Sequence, residues 1–276
     1  MPLLNANEIM RWAVTHRRAV AAFNVDTLET MVAIERAAER LAIPMFLQVT
    51  TATLDIWGWR YLFDQLAYVA RHSPVNITIQ LDHATDVLLI ERALSLGFPS
   101  IMYDGSHLPF RENVNNTLRV IQMARPVYAT VEAEIGHVSR AGEPSAWYAL
   151  TTLEDAHEFL SLCSVDLLAV SVGTVHGQNR HQHDIDIDRV RTLHKHLPHV
   201  PLVLHGGSGV PPEILTSLVD AGIRKVNVGT ELRRIWLNRV AHTAERKPRE
   251  VVAHIMEDST RFAEQLMLRL TGQASV

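Results

Sequence analysis

The stretch "LVLHGGSGV", residues 202–210, sets three aliphatic residues before a histidine and then Gly206, Gly207, Ser208 and Gly209. A short apolar run bounded by glycines reads as a buried strand followed by a tight turn. Neither strand nor turn accounts for an imidazole at the junction. Outward from it, the same rhythm recurs along the whole chain. Strand-like patches cover 19–25, 43–49, 76–83, 99–105, 126–134, 165–173, 200–207 and 223–230. Helix-like patches alternate with them. "LETMVAIERAAERL" (28–41) places Met31, Ile34, Ala38 and Leu41 on one helical face. Gly97 and Gly222 stand where helices would stop, and "PPEILTSLVDAG" opens on two prolines. Eight strand–helix units with near-continuous apolar strands predict a (β/α)8 TIM barrel. A doubly wound open sheet is the alternative that the same pattern permits.

Each strand-like patch ends on a polar side chain. The first four end on Asn24, Gln48, Asp82-His83 and Asp104, and the fifth on Glu132 and Glu134. His176 lies just past the sixth, His205 ends the seventh and Asn227 the eighth. In a barrel these ends form one rim, the face on which barrel enzymes work. Any one of these residues alone would pass as a hydrogen-bonded packing residue, but eight in phase point to a site.

The chain has 276 residues, 47% of them hydrophobic, which is enough for a substantial core. No linker interrupts it, so 1–276 is expected to be a single barrel domain with a C-terminal helical extension, "RFAEQLMLRL". A net charge of −4 with mixed signs argues against nucleic acid or a membrane surface as partner. No signal peptide or membrane span is evident, and the one cysteine, Cys163, precludes an intrachain disulfide; a cytoplasmic location is expected. Cys163 reads as a small buried hydrophobe. His194, His196 and His199 read as surface residues among polar neighbours.

On a shared rim, His83, His176 and His205 would supply three imidazoles, an arrangement suited to catalytic zinc with an open position. Glu134 and Asp104 are candidates for a second metal position or for orienting the histidines. The glycines after His205, with Gly173 and Gly177 in "SVGTVHG" and Thr230 as the expected N-cap of the last barrel helix, suit an anion held by backbone N–H groups.

These residues carry a resemblance. "AFNV" (22–25), "QLDHA" (80–84), "MYDGSHLPFRENV" (102–114), "VEAEIG" (131–136), "AVSVGTVHG" (169–177), "PLVLHGGSGVP" (201–211) and "KVNVGTEL" (225–232) run in the order found in the class II, zinc-dependent ketose-bisphosphate aldolases. The closer likeness is to the tagatose-bisphosphate branch. The resemblance implies a (β/α)8 enzyme that splits a phosphorylated ketose through a metal-stabilised enediolate. It implies zinc on His83, His176 and His205, with a second divalent metal or alternative zinc position at Glu134 and Asp104. Asp82 matches the residue that shuttles a proton at the cleaved bond, and Asn227 one that helps hold the enediolate. Gly177, Gly206, Ser208 and Thr230 match the phosphate cradle, where a monovalent cation also sits. Asn24 and Thr50 match polar substrate contacts. A sugar phosphate partner and a homo-dimer or homo-tetramer follow from the same likeness. No Schiff-base lysine is required. Of Lys195, Lys225 and Lys247, only Lys225 lies in a strand, and it sits on the wrong end for the rim.

Three departures leave alternatives open. The loop that usually carries an acidic base reads "HVSRAGEPSAWYA", leaving Glu143 as the candidate for removing the C3 proton. After His176 the chain reads "GQNRHQHDIDIDRV", with Arg180 where the family has lysine and with His181 and His183 unexpected. Gly229 stands where fructose-type members carry aspartate and tagatose-type members alanine. An aldolase for a different acceptor, such as a deoxy or acidic sugar phosphate, and a metal-binding, non-catalytic partner subunit therefore stay in contention.

Overall fold

The computed structural model describes residues 3–138, 149–177, 185–244 and 247–273. Its centre is a closed barrel of eight parallel strands in sequential order. They are β1 (Val20–Asn24), β2 (Met45–Thr50), β3 (Ile77–Ala84), β4 (Ser100–Tyr103), β5 (Thr130–Ile135), β6 (Leu167–Val170), β7 (Leu202–Leu204) and β8 (Ile223–Val228). The pairing of Val20 with Lys225 and Ala22 with Asn227 joins β1 to β8 and rules out the open sheet.

Around the barrel run α1 (Ala6–His16), α2 (Leu28–Leu41), α3 (Thr51–Trp57), α4 (Trp59–His72), α5 (Val87–Leu96), α6 (Phe110–Ala124), α7 (Leu153–Leu162), α8 (Ile187–His196), α9 (Pro212–Ala221), α10 (Thr230–Ala241) and α11 (Pro248–Leu270). The expected faces and stops are realised. In α2, Met31, Ile34 and Ala38 are buried. Gly97 closes α5 with its N–H on the carbonyls of Ala93 and Leu94, at φ 103°. Pro211 and Gly222 bound α9. α11 lies along α2, where Thr260 donates to the Ala33 carbonyl at 3.0 Å, and Arg239 pairs with Asp258 to tie α10 to α11.

Alternation along the strands divides the interior into layers. At the bottom, α1 plugs the barrel: Ala6, Ile9, Met10 and Ala13 pack against the inward Val20, Ala22, Phe46, Met102, Leu167, Ala169 and Val203. A larger apolar shell lies between the strands and the helices. Above the plug the interior turns polar, and that layer floors the rim.

Three local expectations are corrected. The fifth strand begins at Thr130, not at 126, because Arg125–Val127 form a 3-10 turn. Pro126 has no N–H to give a ladder, and Tyr128 turns the chain at φ 57°. Thr230 is the first residue of α10, not its cap: Gly229 takes the cap position. His194 is half-buried instead of a plain surface residue. Cys163 is fully buried, and burial pushes its thiol up to about 11. No helix among the described residues is long and apolar enough to cross a membrane.

Candidate active site

The C-terminal ends of the strands bound a cavity of about 590 Å³. Asn24, Thr50, Asp82, His83, His176 and Gly177 line it, with Gly206, Ser208, Asn227, Gly229, Thr230 and Arg233 completing the wall. Of the rim residues that the sequence singled out, Asn24, Asp82, His83, His176 and Asn227 line this cavity, and Gln48, Asp104, Glu132, Glu134 and His205 do not. Glu143 and Arg180, with His181 and His183, lie outside the described residues.

His83 reaches the centre through a break in regular pairing. The register between β3 and β4 shifts between Leu81 and Ala84, and His83 sits at φ 47°, in the left-handed region. A bulge re-aims the side chain it carries, and a non-glycine residue holds such a backbone only where its surroundings enforce it. Here the enforcing contact is Asp104, whose Oδ2 accepts from His83 Nδ1 at 2.8 Å. Asp104 is itself fixed by the Ser106 hydroxyl, which donates to Oδ1 at 2.7 Å.

His205 follows β7 and is fully buried. Its Nε2 donates to Glu132 Oε1 at 2.9 Å, and its Nδ1 faces His83 Nε2 at 2.8 Å. With one nitrogen of each ring committed to a carboxylate, the lone pairs on the other two converge. His176 completes the group, its ring centroid 4.8 Å from that of His83 and 5.8 Å from that of His205. The ligand-capable atoms of His83, His176 and His205 all lie within 4.8 Å of one another, and those of His83, Asp104 and Glu134 do likewise. Among the described residues, Glu134 Oε2 is buried without a hydrogen-bond partner. Converging imidazole lone pairs beside an orphaned buried carboxylate oxygen are what a divalent cation requires of its donors, so the residues fit a metal.

Charge is divided unevenly within the cluster. Burial opposes charge on His83, but Asp82 and Asp104 outweigh it and carry this imidazole up to about 10. Burial and the neighbouring His83 push His205 the other way. Burial and the charge of Asp104 push Glu134 up to about 8. Burial also works against Asp104, yet its bond to His83 and the His83 charge hold it well below the usual carboxylate range.

Asp82 sits beside the imidazoles, 2% exposed. Asn24 Nδ2 donates to its Oδ2 at 2.7 Å, and Asn227 and Gln48 donate to its Oδ1 at 3.3 and 3.4 Å. Three amides leave this carboxylate one narrow orientation.

Beneath lies a layer that the sequence did not reveal as functional. Lys225, dismissed from the rim by its position, is fully buried and donates to Glu132 Oε2 at 2.7 Å and to Asn227 Oδ1 at 2.8 Å. Burial disfavours the Glu132 carboxylate, but Lys225 and His205 hold it well below the ordinary range. Gln80 donates to the same Oε2 at 3.0 Å. The signal was present: Glu132 and Glu134, Lys225 and Asn227, and Gln80 and Asp82 are spaced by two, which puts each pair on one face of its strand.

Across the cavity, Gly206 turns at φ 66°, and a Cβ there would meet the Val175 carbonyl oxygen at 2.6 Å. Glycine is required at that turn. It lets the backbone of β7's loop pass against that of residues 173–177 beside Ser208 and Thr230.

Residues 4–274 match the family model described as fructose-bisphosphate aldolase class-II. The chain belongs to this family. It is 36% identical to a fructose-bisphosphate aldolase of Giardia intestinalis, over 84% of this chain and 80% of that one. It is 31% identical to a sulfofructosephosphate aldolase of Alkalicoccus urumqiensis, over 91% of this chain and 88% of that one. The crystal structure of the YdjI aldolase from Escherichia coli K12 superposes with a TM-score of 0.87 at 25% identity, covering 97% of each chain. These likenesses favour no tagatose branch. The chain is a class II aldolase, an aldehyde-lyase, and this family implies a divalent metal that the histidine cluster of the aldolase suits.

Proposed function

We propose that this aldolase reversibly cleaves a phosphorylated ketose, of the tagatose or fructose 1,6-bisphosphate kind, to dihydroxyacetone phosphate and an aldehyde. The observation that carries the reading is the placing of Asp82 beside three convergent imidazoles, with His83 and His176 lining a cavity opposite a glycine-lined loop. In this reading His83, His176 and His205 hold zinc, and Glu134 with Asp104 a second or alternative metal position. The metal supplies Lewis acidity that polarises the substrate's ketone. Asp82, oriented by Asn24, Asn227 and Gln48, takes the proton from the hydroxyl at the breaking bond and returns it in the reverse direction. Asn227 turns an amide N–H toward negative charge developing on the substrate. Gly177, Gly206, Ser208 and Thr230 hold the phosphate, assisted by Arg180 and a monovalent cation, while Asn24 and Thr50 contact the sugar. Glu143 protonates the carbon left by the broken bond and removes that proton in the reverse direction. The protein works as a cytoplasmic homo-dimer or homo-tetramer.

One observation favours a second reading, a different acceptor end. Gly229 lines the cavity with no side chain, and a Cβ there would stand 3.0 Å from that of Asn24. The wall offers no side chain to a substrate at this position, and one relative is named for a sulfonated sugar phosphate.

The test is a coupled assay for dihydroxyacetone phosphate release from tagatose 1,6-bisphosphate, fructose 1,6-bisphosphate and 6-deoxy-6-sulfofructose 1-phosphate, with and without chelator. Release that chelator abolishes and zinc restores supports the reading and ranks the substrates. No release of dihydroxyacetone phosphate from any of them by the zinc-loaded protein overturns it. Glu143→Ala with unchanged turnover removes Glu143 as the base.

A further inference from the structure

At the end of the barrel opposite the catalytic rim, a groove of about 650 Å³ opens between α1, α8, α9 and the start of β8. Arg17, Arg18 and Arg224 line it, together with His16 and His194, and Asp220 is its one carboxylate. Elsewhere the arginines are mostly matched to acids: Arg11 to Glu8, Arg40 to Glu264, Arg189 to Asp186, Arg233 to Asp26. Among the described residues, none of the three groove arginines has an ion pair.

The side chains of Arg18 and Arg224 are nonetheless held in place. Arg17 caps α1 in the left-handed region at φ 53°. Arg18 lays its guanidinium against Gly272, where a Cβ would come within 2.5 Å of Nη1. Arg224, 6% exposed, spends Nη1 on the carbonyls of Val219 and Ile223 at 2.9 and 2.8 Å. Its remaining N–H groups have no protein acceptor among the described residues. His194 is wedged against Gly222, where a Cβ would meet the ring at 2.4 Å. The assembly is electrostatically unfavourable by itself: burial and the charge of Arg17 both work against the Arg224 guanidinium, and Asp220 opposes them. Like charges set this close, one of them buried, are stabilised by an anion between them.

We propose that this groove is a second anion site, built for a small phosphorylated molecule and separate from the catalytic cavity. Guanidinium groups match phosphate oxygens two at a time, and the groove has the volume of a small-molecule site. The location rules out the substrate's reacting end: Arg17 and Arg18 lie three and two residues before the start of β1, and Arg224 is the second residue of β8, whereas the catalytic residues stand at the opposite strand ends.

The experiment is a titration of the zinc-loaded protein with inorganic phosphate, followed by calorimetry and by the phosphorus resonance, on the natural chain and on Arg17→Gln/Arg18→Gln. Glutamine keeps much of the side-chain bulk and removes the charge. The double variant is expected to bind one phosphate equivalent fewer, or to bind it at least tenfold more weakly, with kcat and KM for aldol cleavage within twofold of the natural protein. Equal numbers of bound equivalents at equal affinity in both proteins overturn the proposal. Should the double variant not fold, Arg17→Glu, at an exposed position, serves instead: a tenfold weaker equivalent supports the site, and unchanged binding removes it.

Discussion

His205 turns one ring nitrogen onto the Glu132 carboxylate, 2.9 Å away, and thereby has only Nδ1 left to present to the cavity. Glu132 is held in that duty from behind by Lys225 at 2.7 Å. Replacing Glu132 by Gln lets the ring rotate and change tautomer. Zinc affinity is expected to fall about 10–100-fold, read by competition with a chromophoric chelator, as for other carboxylates that orient metal-bound imidazoles. An unchanged affinity would show that Glu132 does not orient the ligand.

The same pair makes a prediction about stability. Lys225→Met leaves Glu132 as a buried charge without its partner and is expected to destabilise the barrel by about 3–5 kcal/mol. Glu132→Gln added to Lys225→Met removes that stranded charge. In denaturant unfolding the double variant should therefore be more stable than Lys225→Met alone, a non-additivity that two independent sites would not display.

Asp82→Asn preserves the shape of the residue and removes its ability to take a proton. Turnover should fall roughly 10²–10⁴-fold. Zinc content, measured by metal analysis, should stay near that of the natural protein because Asp82 is not among the convergent imidazoles. Joint loss of metal and activity would contradict the separation of roles.

Gly206→Ala forces a methyl to within 2.6 Å of the Val175 carbonyl oxygen and puts alanine at φ 66°. At least ~1 kcal/mol of stability should be lost from the backbone conformation alone. KM should rise more than kcat falls, since the loop faces the proposed phosphate end and stands apart from Asp82. A KM within twofold of the natural value would place the phosphate elsewhere.

Cys163 is fully enclosed, and its thiol is pushed up to about 11. The reactive thiolate is thus scarce in the folded protein until the pH approaches that value. Ellman's reagent at pH 8 should leave it unmodified in the folded state and titrate one thiol on unfolding. Rapid labelling of the folded protein would contradict its burial.

Much of the barrel was legible because its strands are buried on both faces and read as apolar runs, and because polar residues end each run. His83, His176 and His205 could be gathered on one rim by topology alone. What stayed hidden depends on depth and aim, which a linear pattern does not record. Strand alternation puts Glu132 and Lys225 inside the barrel but does not say that strands three steps apart bring them within 2.7 Å. The bulge that turns His83 has no residue signature, since no glycine marks the positive φ there. The arginine groove was invisible for another reason. Arg17-Arg18 and Arg224 are more than 200 positions apart and meet only because β1 closes on β8.

The burial of Lys225 against Glu132 also constrains how the chain can be assembled. One partner is supplied by the fifth strand and the other by the eighth, so a fragment ending after β6 would hold a carboxylate in its interior with its counter-charge still missing. Expressed separately, the two parts of a chain cut between β6 and β7 should be poorly folded alone and should recover structure on mixing. The last quarter of the polypeptide thus acts as the closing clasp of a ring, and release of nascent chain before β8 emerges would leave the earlier strands waiting for it.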